Sequence, residues 1–538
     1  MTGAPGFHSI VHPTPEQEVA QSRPDLRDVF HDLFLEAIFM GAYGSFAPRE
    51  KPSLYVVHQG DDEAPYRAEV LVLLQALFGT PLHELSVVQY RQAVLRDLKQ
   101  APLLKGMRAF QRGMQEFRAS LRRAEKADYA AEGQRWFVDA ALIYGHALQA
   151  LHQTLVGADL QSQALQSLQG HVADLLVSPA YTARMKEAQA LIQALAQVRY
   201  AFRVDGTAVT VLQDPQEPDY SATIADTFAC FRQGEVKDYR VQFNPASRLN
   251  HVEGQILDRV ALLHPQVFER LAQFRSAQEG FAEARIVRLD RELAWYLSWI
   301  DYTQRLERAG LPLCFPTLHL EQGHIDAREA YDMALAWQCL DSQKPVVCND
   351  MALQGDERML VVTGPNHGGK TTLARTFGQL HYIASLGLTV AARSASLLLP
   401  DQMFTHFERV EDINNQRGKL QDDLVRMHRI LAAATPHSLV LMNEIFSSTT
   451  LDDALWLARR VMARLAAIGA ACVFVTFLDE LSTFDAHTVS MVGTVDAKDA
   501  TLRTFKVVRR AADGKSYALA LAQKFGVTRQ QLLERISP

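Results

Sequence analysis

Residues 359–372 read Met-Leu-Val-Val-Thr-Gly-Pro-Asn-His-Gly-Gly-Lys-Thr-Thr, and this stretch decides how the last third of the chain folds. Met359 to Thr363 is a β-favouring run that predicts a short buried strand. The residues Gly364, Pro365, Asn366, His367, Gly368, Gly369, Lys370, Thr371 and Thr372 then satisfy Gly-x-x-x-x-Gly-Lys-[Ser/Thr], followed by a helical pattern. Glycines at these positions let backbone N–H groups turn inward around phosphate oxygens, and the helix N-terminus adds the positive end of its dipole. Lys370 supplies a mobile charge for the outer phosphates, and Thr371 is placed to ligate Mg²⁺. A chance match in a chain of this length has a probability of roughly one or two per cent. The reading is therefore an ATP site with Mg²⁺ as cofactor.

The second half of such a site is an apolar strand ending in acids, and Ser438-Leu-Val-Leu-Met-Asn443-Glu444 fits that description. Glu444 is the candidate catalytic base, polarising the water that attacks the γ-phosphorus. Asn443 stands where an Asp would normally hold the hydrated metal. A full charge interaction at about 4 Å and an effective dielectric near 20 is worth roughly 4 kcal/mol, so its loss weakens the metal site unless another carboxylate compensates.

Around these segments the pattern alternates short apolar strands (Met359–Thr363, Ser438–Met442, Cys472–Thr476) with amphipathic helices such as Leu451–Ile468, which Gly469 stops. Residues 341–538 thus read as an α/β P-loop NTPase domain with a largely parallel sheet. Residues 25–199 read as mainly helical, with Tyr144, Leu148, Leu151 and Leu155 on one helix face. Residues 200–247 carry a small β excursion, Val209–Leu212 and Tyr239–Phe243, and helical composition resumes over 248–340. Residues 1–24 lack a basic start and an apolar run, and read as a flexible leader rather than a secretory signal.

With 538 residues the chain is expected to hold several domains, and 48% apolar with 22% charged residues is ordinary globular composition. A net charge of −6 provides no bulk attraction to nucleic acid or anionic membrane, so any DNA contact needs a local patch. Five scattered cysteines without a CxxC pair argue against disulfides or zinc and for a reducing cytoplasm. The most apolar stretch, Leu465–Leu478, is too short to cross a bilayer.

The loop 364–372, the strand ending in Asn443-Glu444, the following Ile445 to Asp453, and Val473-Phe-Val-Thr-Phe477 resemble the ATPase domain of the MutS family, as do Lys515-Ser-Tyr517 and the lead-in Lys344 to Asp350. The resemblance implies an ABC/MutS-type ATPase preceded by helical core and lever regions, acting as a homodimer on DNA in mismatch repair or recombination. It also implies that the segment around Gly418 and Lys419, with Asp453, reaches the partner's ATP. Three residues depart from the family pattern: Asn443 for the metal-associated Asp, Phe477 for the switch histidine, and Gly418 where the trans-acting serine aligns. These departures predict slow or altered hydrolysis and motivate an alternative, a nucleotide-gated scaffold that binds ATP with little turnover.

No mismatch-reading N-terminal domain is recognisable. The triplets Phe34-Leu-Glu36 and Phe281-Ala-Glu283 resemble the family's wedge, but one or two such triplets arise by chance among 26 Phe. A stronger candidate for DNA is Leu95–Lys126, with nine basic residues against three acidic ones. Arg108 and Arg112, then Arg118 and Arg122, are spaced by four and could touch phosphates from one helix face. The competing reading is a solvated helix face.

Overall fold

The computed structural model describes residues 6–19, 25–47, 63–213, 227, 249–408, 418–496, 502–512 and 525–536. Its N-terminal part is a stack of helices. Ala101–Lys126 and Ala130–Val156 run against each other. The first buries Leu103, Met107, Phe110, Met114, Phe117 and Ala124, spaced by four, three, four, three and seven, so one stripe carries the contact. The face expected from Tyr144, Leu148, Leu151 and Leu155 is buried on the second. Helix Ala284–Arg308 runs through the interior with Trp295, Tyr296 and Trp299 enclosed, and Trp299 Nε1 donates to Thr389 Oγ1 at 3.0 Å.

A hairpin, β1 (Tyr200–Asp205) and β2 (Ala208–Gln213), stands out from the helices with Phe202 and Val204 exposed. The second expected strand of that excursion, Tyr239–Phe243, lies outside the described residues, as do Lys515–Tyr517.

Two sheets follow. A four-stranded sheet has the order β3 (Thr317–His319), β7 (Ser394–Leu398), β4 (His324–Ala330), β5 (Asn349–Gln354). The expected boundary at 340/341 falls between β4 and β5, which pair antiparallel, so residues 317–330 pack with the C-terminal part rather than with the helices before them. The larger sheet has the order β12 (Arg503–Arg509), β11 (Thr488–Val495), β6 (Met359–Thr363), β10 (Ala471–Val475), β9 (Leu439–Asn443), β8 (Met403–Phe407). Its pairs are parallel except β11–β12.

Every residue of β6, β9 and β10 is buried because both faces of the sheet are covered. Leu360, Val362, Leu439, Leu441, Val473 and Val475 face the helix Lys370–Ser385 and, beyond it, the core of the helical region. Met359, Val361, Val440, Met442, Cys472 and Phe474 face Met427, Ala458, Met462 and Leu465 from the helices Lys419–Ala433 and Leu451–Ile468. The period-two split places one helix between sheet and helical region, where it is buried almost throughout.

Within 1–24, expected as a flexible leader, the described residues around Phe7 to His12 are packed into the fold. Phe7, Ile10 and Val11 lie in the core. Ser9 Oγ donates to Glu292 Oε1 at 2.7 Å, the Ile10 N–H to Glu292 Oε2 at 2.9 Å, and Tyr296 Oη to the Ile10 carbonyl at 2.8 Å. The buried Arg91 donates to the carbonyls of Val11 and Leu386. No leader-like composition rule sees partners this distant. Among the described residues no helix is long and apolar enough to cross a membrane, and Cys314, Cys339, Cys348 and Cys472 are free thiols.

Candidate functional site

The loop 364–369 joins β6 to the helix Lys370–Ser385, and its backbone requires glycine at two points. Gly364 has φ +115°, and a Cβ there would sit 2.9 Å from the backbone N and O of Gly493 on β11. Gly369 has φ +93° and caps the helix. His367 adopts φ +59° without that freedom. The loop is thus held in a sparsely populated conformation, closed by the Gly368 N–H donating to the Pro365 carbonyl at 3.2 Å.

Lys370 lies across the loop. Its side chain is 4% exposed; Nζ donates to the Gly364 carbonyl at 2.9 Å and to Asn366 Oδ1 at 3.2 Å, and stands 3.8 Å from Glu444 Oε1. Burial pulls the ammonium below its usual range, and nearby Glu444 and Asp479 oppose that pull. Thr371 Oγ1 donates to Asn443 Oδ1 at 3.0 Å. Glu444 has φ +52°, and its N–H donates to the Val475 carbonyl at 2.9 Å, which fixes the turn that leaves β9. Lys370, Thr371, Asn443 and Glu444 therefore meet at the C-terminal edge of the sheet, where α/β folds place their ligands.

A cavity of about 260 Å³ flanks the loop, lined on one wall by Lys344, Pro345, Val346 and Val347 and on the other by Gly369, Thr372 and Phe505. Sequence reasoning singled out only the Lys344–Asp350 lead-in. It missed the start of β12, where Arg503 Nε donates to the Asn366 carbonyl at 3.2 Å and Phe505, at φ +57°, lies over Gly369. Asn349 holds that strand, donating to the Phe505 carbonyl at 3.2 Å and accepting from the Val507 N–H at 2.8 Å. The signal is a register across the fold, which no local motif carries.

Other candidates lie apart. Gly418 is exposed at the start of the helix Lys419–Ala433, Lys419 pairs with Glu408, and Asp453 accepts from Thr450 Oγ1 at 2.8 Å at the start of Leu451–Ile468. None of the three makes a hydrogen bond or ion pair with Lys370, Thr371, Asn443 or Glu444. Phe477 is 48% exposed beyond β10.

The basic helix Ala101–Lys126 carries arginines that already have acidic partners within the fold. Arg108 pairs with Asp301, Arg122 with Glu63, and Arg118 with both Asp290 and Glu63 while stacking 3.5 Å from the Tyr66 ring centroid. Three of the four arginines expected on DNA thus hold acidic partners from elements distant in sequence, Arg118 and Arg122 partly buried and Arg108 at the surface; Arg112 is exposed. Phe281 sits among Phe117, Phe137 and Tyr144, and Glu283 caps the next helix, so that triplet is structural.

Residues 360–535 match the family described as MutS domain V. Those C-terminal residues are thus similar to MutS proteins. It is 33% identical over 187 residues to the DNA mismatch repair protein MutS of Shouchella clausii (strain KSM-K16), an alignment covering 34% of this chain and 21% of that protein. The chain is thus matched along about a fifth of the length of that MutS relative. The helical region lies outside the family match.

The MutS resemblance implies Mg²⁺ with ATP, and the donors present suit it. A hydroxyl (Thr371) and an amide oxygen (Asn443) are hard oxygen ligands beside a carboxylate. Among the described residues no three His, Cys, Asp or Glu side chains form a metal cage. That agrees with an ion carried mostly by phosphates and water rather than by protein.

Proposed function

We propose that this MutS-like chain is an ATPase that binds MgATP at the 364–372 loop and works on DNA as a homodimer in the cytoplasm, in mismatch repair or recombination. The observation that carries the reading is the meeting of Lys370, Thr371, Asn443 and Glu444 behind a glycine loop at the sheet edge. In this reading the backbone N–H groups of Asn366, His367, Gly369 and Thr372 donate to phosphates, Pro365 having none to give. Lys370 exchanges the carbonyl of Gly364 for the outer phosphate oxygens, and Thr371 with Asn443 holds the metal side. When bound, Mg²⁺ supplies charge neutralisation on the β- and γ-phosphates. Glu444 accepts the proton of the attacking water. The flanking cavity is the place for the base, with Val346, Val347 and Phe505 as apolar walls.

Lever motion has a physical route in this proposal. The helix that starts at Lys370 ends where Arg91 grips the Leu386 carbonyl, and Thr389 just beyond it accepts from Trp299. A shift of the loop on phosphate binding is passed to the helix Ala284–Arg308 through those bonds. Calorimetric titration with ATP and Mg²⁺ tests the site: micromolar uptake is expected, and no heat with either ATP or ADP would end the proposal.

Asn443, Phe477 and Gly418 favour a second reading, a scaffold gated by nucleotide without useful turnover. Steady-state turnover separates the two. Turnover in the wild type that Glu444→Gln abolishes supports the ATPase; tight binding without turnover in either protein supports the scaffold.

A further inference from the structure

The site contains a neutral amide where its chemistry calls for a charge. Asn443 closes β9 and accepts from Thr371, yet contributes no negative charge to the metal side. A second acid enters from a different strand. In the sheet β10 lies between β6 and β9, with Val475 level with Val362 on one side and with Asn443 on the other. The Thr476 N–H donates to the Val362 carbonyl at 3.0 Å, and the Glu444 N–H to the Val475 carbonyl at 2.9 Å. The chain leaving β10 therefore emerges between the phosphate loop and Glu444.

Asp479 lies four residues beyond the end of β10, at the start of a short turn that is firmly held. The Leu478 N–H donates to Thr476 Oγ1 at 3.1 Å, the Leu481 N–H to the Leu478 carbonyl at 3.1 Å, and Ser482 Oγ to the Asp479 carbonyl at 2.6 Å. Leu478 and Leu481 are buried, which anchors the turn beside β6 and β11. The Asp479 carboxylate is half-buried and, among the described residues, makes no hydrogen bond or ion pair. Of the other acids nearby, Asp423 pairs with His406, Glu408 with Lys419, Asp453 caps its helix and Asp485 accepts from Thr488, while the adjacent Glu480 is exposed to solvent.

We propose that Asp479 supplies the negative charge that Asn443 lacks, accepting hydrogen bonds from the water shell of phosphate-bound Mg²⁺ while staying outside direct coordination. The assignment rests on the reading of the 364–372 loop as a MgATP site. It makes Asp479 a positioning residue, and it moves the site's second carboxylate from β9 to the turn after β10. Outer-shell acids of this kind are worth about tenfold in metal affinity.

The test is calorimetric titration of ATP into the full chain, with MgCl₂ and with EDTA. The proteins compared are wild type, Asp479→Asn, Asn443→Asp and the double variant. Asp479→Asn is expected to lose about tenfold in affinity for ATP with Mg²⁺ and to keep or improve its affinity in EDTA, since a charge facing the phosphates is gone. Adding Asn443→Asp is expected to restore the metal-dependent gain. A merely structural role for Asp479 would lower both affinities together and would not be rescued by a charge on β9; that pattern overturns the assignment, as does unaltered Mg²⁺ dependence in Asp479→Asn. Absence of ATP uptake by the wild type in both buffers would overturn the nucleotide reading along with it.

Discussion

The helix Ala101–Lys126 and the loop before Lys370 both present cations that invite a phosphate, yet they dispose of their charge differently. Arg118 faces Asp290 and Glu63 and stacks on Tyr66, so its charge is satisfied by the fold. Lys370 is buried, its pKa lowered, and held only by a carbonyl, an amide oxygen and a carboxylate at 3.8 Å. A phosphate can displace carbonyl contacts; it competes poorly with two carboxylates and a ring. The contrast separates a cation that builds structure from one that waits for a ligand.

Arg118→Ala probes the contrast with the largest expected effect. It leaves Asp290, whose side chain is 2% exposed, without its partner, and breaking such a buried pair costs about 3–5 kcal/mol. Chemical denaturation should register that loss. Burial lifts the Asp290 carboxyl from 3.8 to about 6, with Arg118 opposing the rise. Protons therefore bind the folded state more tightly. The group's stabilising contribution is complete below about pH 3.8 and is lost as pH rises through about 6. The Arg118→Ala deficit should shrink between pH 8 and pH 5; a deficit that is flat with pH would show that the carboxylate is not its source.

Lys370→Ala comes next and should act in the opposite place. ATP affinity by calorimetry is expected to fall about 100-fold, about 2.7 kcal/mol. The unfolding temperature without nucleotide should stay the same or rise, because a desolvated ammonium is removed. A large loss of stability with little loss of affinity would make Lys370 a structural cation like Arg118. The smallest effect belongs to Arg108→Ala, whose pair with Asp301 is exposed: below about 1 kcal/mol by denaturation. The same contrast predicts that Arg118→Ala and Arg122→Ala leave the salt dependence of DNA binding unchanged. A slope reduced by about one per arginine would return that helix to the DNA.

What could be read from residues alone follows from where the information lies. The strand Met359–Thr363, its glycine loop and the helix Leu451–Ile468 are written locally, in alternation and turn chemistry, and they form over those residues. Asn443 and Glu444 are legible because an apolar run ending in acids has few other uses; β9 itself is shifted by one residue. The ion pairs of the basic helix were not legible because Asp290, Asp301 and Glu63 lie from 55 to 193 residues away in sequence. Arg503 and Phe505 reach the loop only through the antiparallel pairing of β12 with β11, and a pairing register has no signature inside either strand. The core role of Phe7 to Val11 was hidden for the same reason, since Glu292 and Arg91 are what make that polar-looking segment an interior one.

That last feature bears on how the molecule is made. Ser9 meets Glu292 across 283 residues, and Arg91 meets Leu386 across 295. At synthesis rates of about 5–20 residues per second, the partners of this segment emerge from the ribosome on the order of tens of seconds after it does. For that interval Phe7, Ile10 and Val11 lack their distant partners, and a protease or a holding chaperone meets them before Tyr296 does. The nascent chain is thus exposed in the segment Phe7 to Val11 until Glu292 and Tyr296 are made.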